Sequence, residues 1–99
     1  MQPRMHTVDV QLSAEVTSLL DEAARARGLS REVVFGHAID RLDPAAVVDT
    51  SPGPGPLQPR AVTLSAAQAA QWLSRATQAG LSDEDAAIAA IRQLAAAKP

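Results

Sequence analysis

Few side chains in this sequence can do chemistry, and their spacing says of what kind. There are two histidines, His6 and His37, and no cysteine, too few ligands for the tetrahedral nitrogen and sulfur sets that zinc takes. No nucleophile, base and oxyanion donor can be named that converge, so neither an enzyme nor a cofactor is expected. Asp83, Glu84 and Asp85 suit the first turn of a helix, where carboxylates meet the positive end of its dipole. What remains is hydrogen bonding. Thr7, Asp9 and Gln11 stand at every second position, so on an extended strand they share one face while Val8, Val10 and Leu12 share the other.

The strand that carries them occurs twice. At an offset of 52 residues, Val10-Gln11-Leu12-Ser13-Ala14 falls on Val62-Thr63-Leu64-Ser65-Ala66, and Gly28-Leu29-Ser30 falls on Gly80-Leu81-Ser82. Over residues 8–42 against 60–94, 12 of 35 positions are identical without a gap. Three of these are alanine on alanine, but the rest include the serines and glycines that start and stop helices. An internal repeat of this kind decides the fold.

Each copy reads as strand, helix, helix. In the first, Ser13 is placed to cap a helix over 14–27, with Val16, Leu19, Leu20, Ala23 and Ala24 on one face. Arg25 and Arg27 complement its C-terminal dipole, and Gly28 is the expected left-handed stop. Ser30 then caps a second helix carrying Val34, Phe35, Ala38, Ile39 and Leu42. In the second copy the strand 61–64 is shorter, with Pro59 limiting its start. Ser65 and Gln68 form a capping box, Gly80 stops that helix, and Ser82 caps the last, whose apolar side is Ile88, Ile91 and Leu94. Trp72 falls on Leu20 and is expected in the core, compensating for Gln68 and Gln71 where the first copy has Val16 and Leu19.

The organisation follows: a first repeat over 1–43, a Pro- and Gly-rich linker over 44–59 and a second repeat over 60–97. Segments below ~40 residues rarely fold alone, and with no cysteine no disulfide compensates, so the repeats are expected to share one core. A coil of about 15 residues reaches roughly 20 Å, enough to cross a small domain, which permits pairing within one chain or between two. The apolar stretches are too short for a membrane span, and the polar start of the chain lacks a signal peptide's apolar core. A cytoplasmic protein is the default expectation. The preference for Ala, Arg, Val and Asp is a habit of GC-rich bacterial sequences.

Strand, serine, helix, Gly-x-Ser, helix resembles the ribbon-helix-helix family of DNA-binding proteins, the fold of the MetJ and Arc repressors. The resemblance is carried by Val8-Asp9-Val10-Gln11-Leu12-Ser13, by Gly28-Leu29-Ser30-Arg31-Glu32 and by Ala38-Ile39, and it covers both repeats. It implies a mainly α fold with a short two-stranded antiparallel ribbon, ordered β-α-α-linker-β-α-α. The family's obligate dimer would here be a tandem pseudo-dimer within one chain. It further implies a transcriptional regulator, a repressor type, binding double-stranded DNA with its ribbon in the major groove. Carried over by position, the base-contacting residues are Thr7, Asp9 and Gln11, with Ala61 and Thr63. Gln11 suits adenine, Asp9 can accept from cytosine N4, and Thr63 can meet a thymine methyl. The phosphate contacts map to Ser30 and Arg31 and to Ser82, helped by Arg4 and Arg60.

Two departures sharpen this expectation. Family ribbons usually carry Arg or Lys toward the groove, where this chain has Asp9 and Ala61. At the second phosphate anchor, Asp83, Glu84 and Asp85 repel a phosphate. With a net charge of -2 the chain has no general affinity for polyanions. The rival expectation is therefore a protein-interaction module or antitoxin-like protein that kept the fold and lost DNA. A further expectation is self-association of two chains on adjacent subsites.

Overall fold

The computed structural model describes residues 5–46, 50 and 53–97. Its elements run β1 (Met5–Leu12), α1 (Ala14–Arg27), α2 (Arg31–Arg41), a single 3-10 turn at Pro44–Ala46, β2 (Gln58–Ser65), α3 (Ala66–Ala79) and α4 (Asp83–Ala96). The chain is thus mainly helical with one two-stranded antiparallel sheet, in the order β-α-α-β-α-α.

The helix boundaries follow from the serines and glycines. Ser13, Ser30, Ser65 and Ser82 are all extended at the N-cap, and each hydroxyl accepts from the backbone N–H three residues on, which satisfies one of the donors a helix start leaves orphaned. Gln68 completes the box at Ser65, its Oε1 accepting from the Ser65 N–H at 3.1 Å. Gly28 and Gly80 both turn left-handed, at φ 65° and 71°, a conformation that costs any residue with a Cβ. That turn folds each second helix back on the first.

The strands are longer than their alternation alone predicts. β2 begins at Gln58 rather than beyond Pro59, and Pro59 pairs with Gln11 inside it. The ring is tolerated because each strand of a two-stranded ribbon has one open edge, where a missing N–H breaks no ladder. The connection between the repeats is correspondingly shorter than 44–59.

Pairing runs from Met5 opposite Ser65 to Leu12 opposite Gln58, and Asp9 and Ala61, positions 52 residues apart, face one another in it. The inward face presents Val10, Leu12, Val62 and Leu64, all fully buried. They join one apolar cluster with residues of all four helices, including Leu20, Phe35, Ile39, Trp72, Ile91 and Leu94. Helices meet across the repeats as well as within them: α1 packs on α4, α2 on α3, and α2 on α4. Trp72 takes the core position foreseen for it. It lies 8 % exposed, edge-on to Phe35 with ring centroids 5.5 Å apart, and its indole N–H donates to the Asp83 carbonyl at 2.8 Å. Among the described residues no helix is long and apolar enough to cross a membrane.

Candidate nucleic-acid interface

The outward face of the ribbon is set by the inward one. Because side chains alternate, burying Val10 and Leu12 turns Thr7, Asp9 and Gln11 to the other side, and burying Val62 and Leu64 does the same for Pro59, Ala61 and Thr63. The register then makes three cross-strand pairs: Thr7 with Thr63, Asp9 with Ala61, and Gln11 with Pro59. All five residues expected to meet base edges stand on this one surface. Thr7, Asp9 and Ala61 are exposed, while Gln11 and Thr63 are half-buried. The two threonine hydroxyls lie 3.3 Å apart and share a hydrogen bond, so the Thr7–Thr63 pair offers one remaining donor in all. Asp9 is the only charged side chain on this face among the described residues.

The residues expected to hold phosphates are less uniformly placed. Arg4 lies outside the described residues. Arg31 is committed to its own fold: Nε and Nη2 donate to the two oxygens of Asp21 at 2.7 and 3.0 Å, a two-pronged pair across the Gly28 turn. The hydrogen bond to Asp21 holds the guanidinium pKa above its ordinary value, with the charges of Asp21 and Glu32 adding to the effect. Both partners remain about two-fifths exposed, so a phosphate can approach Arg31 but must compete with a carboxylate already in place. Ser30 and Ser82 spend their hydroxyl oxygens as caps, accepting from Val33 and Asp85. Arg60 pairs with Val10, on the inward side of the ribbon near its end. Its Nη2 donates to Gln58 Oε1 at 3.2 Å, and its Nε is buried with no partner among the described residues.

The first turns of α2 flank the ribbon. A cleft of about 230 Å³ is lined by Glu32, Val33, His37, Thr63 and Gln68. It places a carboxylate beside the half-buried threonine. The repeat-equivalent helix, α4, begins with Asp83, Glu84 and Asp85. Among the described residues, positive charge on this side of the molecule is therefore scarce and partly neutralised.

Several of these features were not legible in the sequence. The Arg31–Asp21 pair joins residues ten apart on different helices, and only the angle set by Gly28 brings them together. Arg27, read as a dipole complement of its own helix, also reaches the end of α4, where Nη2 lies 3.5 Å from the Leu94 carbonyl and 3.4 Å from that of Ala97. No protein-family model, curated protein or solved structure matches the chain.

Proposed function

We propose that the chain is a ribbon-helix-helix pseudo-dimer fused into one polypeptide, and that the outward face of its ribbon reads duplex DNA in the major groove as a transcriptional regulator. The register carries this reading. Antiparallel partners sum to 70, as in Thr7 with Thr63, while repeat equivalents differ by 52. Only one pair, Asp9 and Ala61, satisfies both. That register is what a two-fold relation through the ribbon's centre requires, as in a dimer of identical subunits. The cross-repeat packing of α1 on α4 and of α2 on α3 has the same symmetry.

The two strands present different groups, so the reader is asymmetric. Gln11 can pair with adenine through N6 and N7, Asp9 can accept from cytosine N4, and Thr63 can pack on a thymine methyl. A homodimer mirrors its two-fold symmetry in a palindromic operator; this ribbon favours a non-palindromic subsite, and two chains bind adjacent subsites. Few cations among the described residues face the groove, so few phosphates are neutralised. Each phosphate neutralised contributes a slope of about -0.9 in log K against log salt, and two or three contacts give a slope between about -2 and -3.

Titration of labelled genomic duplexes into the protein across a salt series tests this. Binding at ~50 mM salt with that shallow slope is expected, and no binding at that salt would contradict it. The placement of Glu32 beside Thr63, with Arg31 tied to Asp21, favours a second reading. In it the same face receives a basic protein segment, as in an antitoxin-like or interaction module. Co-purification of a stoichiometric basic partner, with no DNA retained, would select that reading.

A further inference from the structure

We propose that the two repeats are mutually specific: each half is built to accept the other and to reject a copy of itself. The inference rests on reading the chain as two fused repeats and not on what the ribbon binds. Four independent contacts between the halves support it, and in each the repeat-equivalent residues differ in a compensating way.

The helix ends come first. Arg75 on α3 donates to the carbonyls of Leu42 at 2.6 Å and Asp40 at 3.0 Å, closing the end of α2. Arg27 on α1 performs the same service for α4 at Leu94 and Ala97. Yet the equivalent of Arg27 is Ala79 and that of Arg75 is Ala23, so the two arginines sit one turn apart on their helices. Their targets differ in the same sense: α2 has 11 residues and α4 has 14. Facing a second α2, Arg27 would extend past a helix that has already ended ahead of Pro44. Facing a second α4, Arg75 would reach the positions of Arg92 and Leu94, which lie inside that longer helix rather than at its end.

Packing repeats the pattern. The Gln68 side chain lies over Gly36, where an added Cβ would overlap its Nε2. The equivalents are Val16 for Gln68 and Ile88 for Gly36, both buried. Glutamine thus goes with glycine, and the repeat relation sets valine opposite isoleucine in the other half. Pairing the second repeat with itself would drive Ile88 into Gln68; pairing the first with itself would leave Val16 over an empty Gly36. Phe35 meets Trp72, whereas their equivalents are Ala87 and Leu20. A self-paired second repeat would set Trp72 against alanine, and voids of that size are costly.

The fourth contact joins α4 to the end of α2. Gln93 Oε1 accepts from the Asp43 N–H at 2.9 Å, and its Nε2 donates to the Asp43 carbonyl at 3.1 Å. The equivalent of Gln93 is Arg41, which has no acceptor and cannot make this two-way bond. Specificity of this sort needs both attraction to the right partner and misfit with the wrong one, and both are present. Its consequence is that Thr7, Asp9 and Gln11 always face Pro59, Ala61 and Thr63.

The test uses the folded full chain with a protease recognition sequence inserted between Gly55 and Pro56, cleaved after folding. Cut protein is mixed with an isotope-labelled cut sample and weighed by native mass spectrometry. Unlike halves at 1:1 are expected, exchanging between labels, with like pairs at least about a hundredfold rarer, equivalent to two factors of ten in the pairing constant. Like pairs near a statistical share would overturn mutual specificity while leaving the fused-repeat reading intact. Pieces that separate as unfolded chains would overturn both. In the uncut chain, Gly36→Ile should lower the denaturation midpoint, and adding Gln68→Val, which recreates the other pair, should recover most of it, short of the capping bond that Gln68 accepts from the Ser65 N–H. Losses that simply add would contradict the complementarity.

Discussion

The first helical hairpin and the second share a backbone and almost nothing that fastens it. In the first, α1 and α2 are tied on the surface by the Asp21–Arg31 pair. At the equivalent positions the second has Leu73, 55 % exposed, and Asp83. Its fastening lies inside instead, where Trp72 donates its indole N–H to the Asp83 carbonyl at 2.8 Å. The shared residues are the serine caps, the glycine stops and the alternating strand. The comparison teaches that those few positions specify the path of the chain, whereas the means of holding it shut can move between surface and core.

Removing the interior fastening should have the largest effect. Trp72→Ala is expected to cost about 3–5 kcal/mol, because a buried ring in contact with Phe35 is lost and the Asp83 carbonyl loses its donor. Denaturant unfolding checks this, and Trp72→Phe should recover all but about 1 kcal/mol if the indole hydrogen bond contributes as a neutral one does. A loss under 1 kcal/mol for Trp72→Ala would show that the ring is not a core element.

The shared residues should respond alike in both halves. Gly28→Ala and Gly80→Ala each force a Cβ into a left-handed turn and should each destabilise by about 1 kcal/mol. Ser13→Ala and Ser65→Ala should each cost about 1 kcal/mol, the latter keeping the bond from its backbone N–H to Gln68 Oε1 and losing only the longer one from its hydroxyl at 3.4 Å. Unequal losses at the two glycines would break the parallel between the hairpins.

The surface fastening should matter least for stability and most for binding. Asp21→Asn leaves a pair that is two-fifths exposed, so solvent screening holds the loss to about 0.5 kcal/mol. The same change releases Arg31, and under the DNA-reading proposal affinity for duplex DNA should rise several-fold on all sequences alike. Gln11→Ala, by contrast, should lower affinity for the preferred site and leave non-specific binding unchanged. Fluorescence anisotropy on a specific and a scrambled duplex separates the two behaviours.

How much of this was legible beforehand follows from the range of each interaction. The caps, stops and helix lengths are set by residues within four positions of each other, and they read directly. The outward trio Thr7, Asp9 and Gln11 was equally visible, since a period of two leaves no other arrangement once Val10 and Leu12 are buried. Pro59 misled because its effect depends on whether the strand edge is covered. Arg27, Arg31 and Arg75 were opaque for a different reason: their partners lie on other helices, and a long flexible side chain carries no pattern that names its acceptor.

The central claim is the antiparallel pairing of the two repeats with Asp9 opposite Ala61. Backbone nuclear Overhauser effects in the isotope-labelled free protein test it most directly. Cross-strand contacts should link the segment around Thr7 to Thr63 and that around Gln11 to Pro59, with partners summing to 70. A register shifted by one residue would turn Asp9 and Gln11 into the core, and that result, or no contact between the strands at all, would contradict the account.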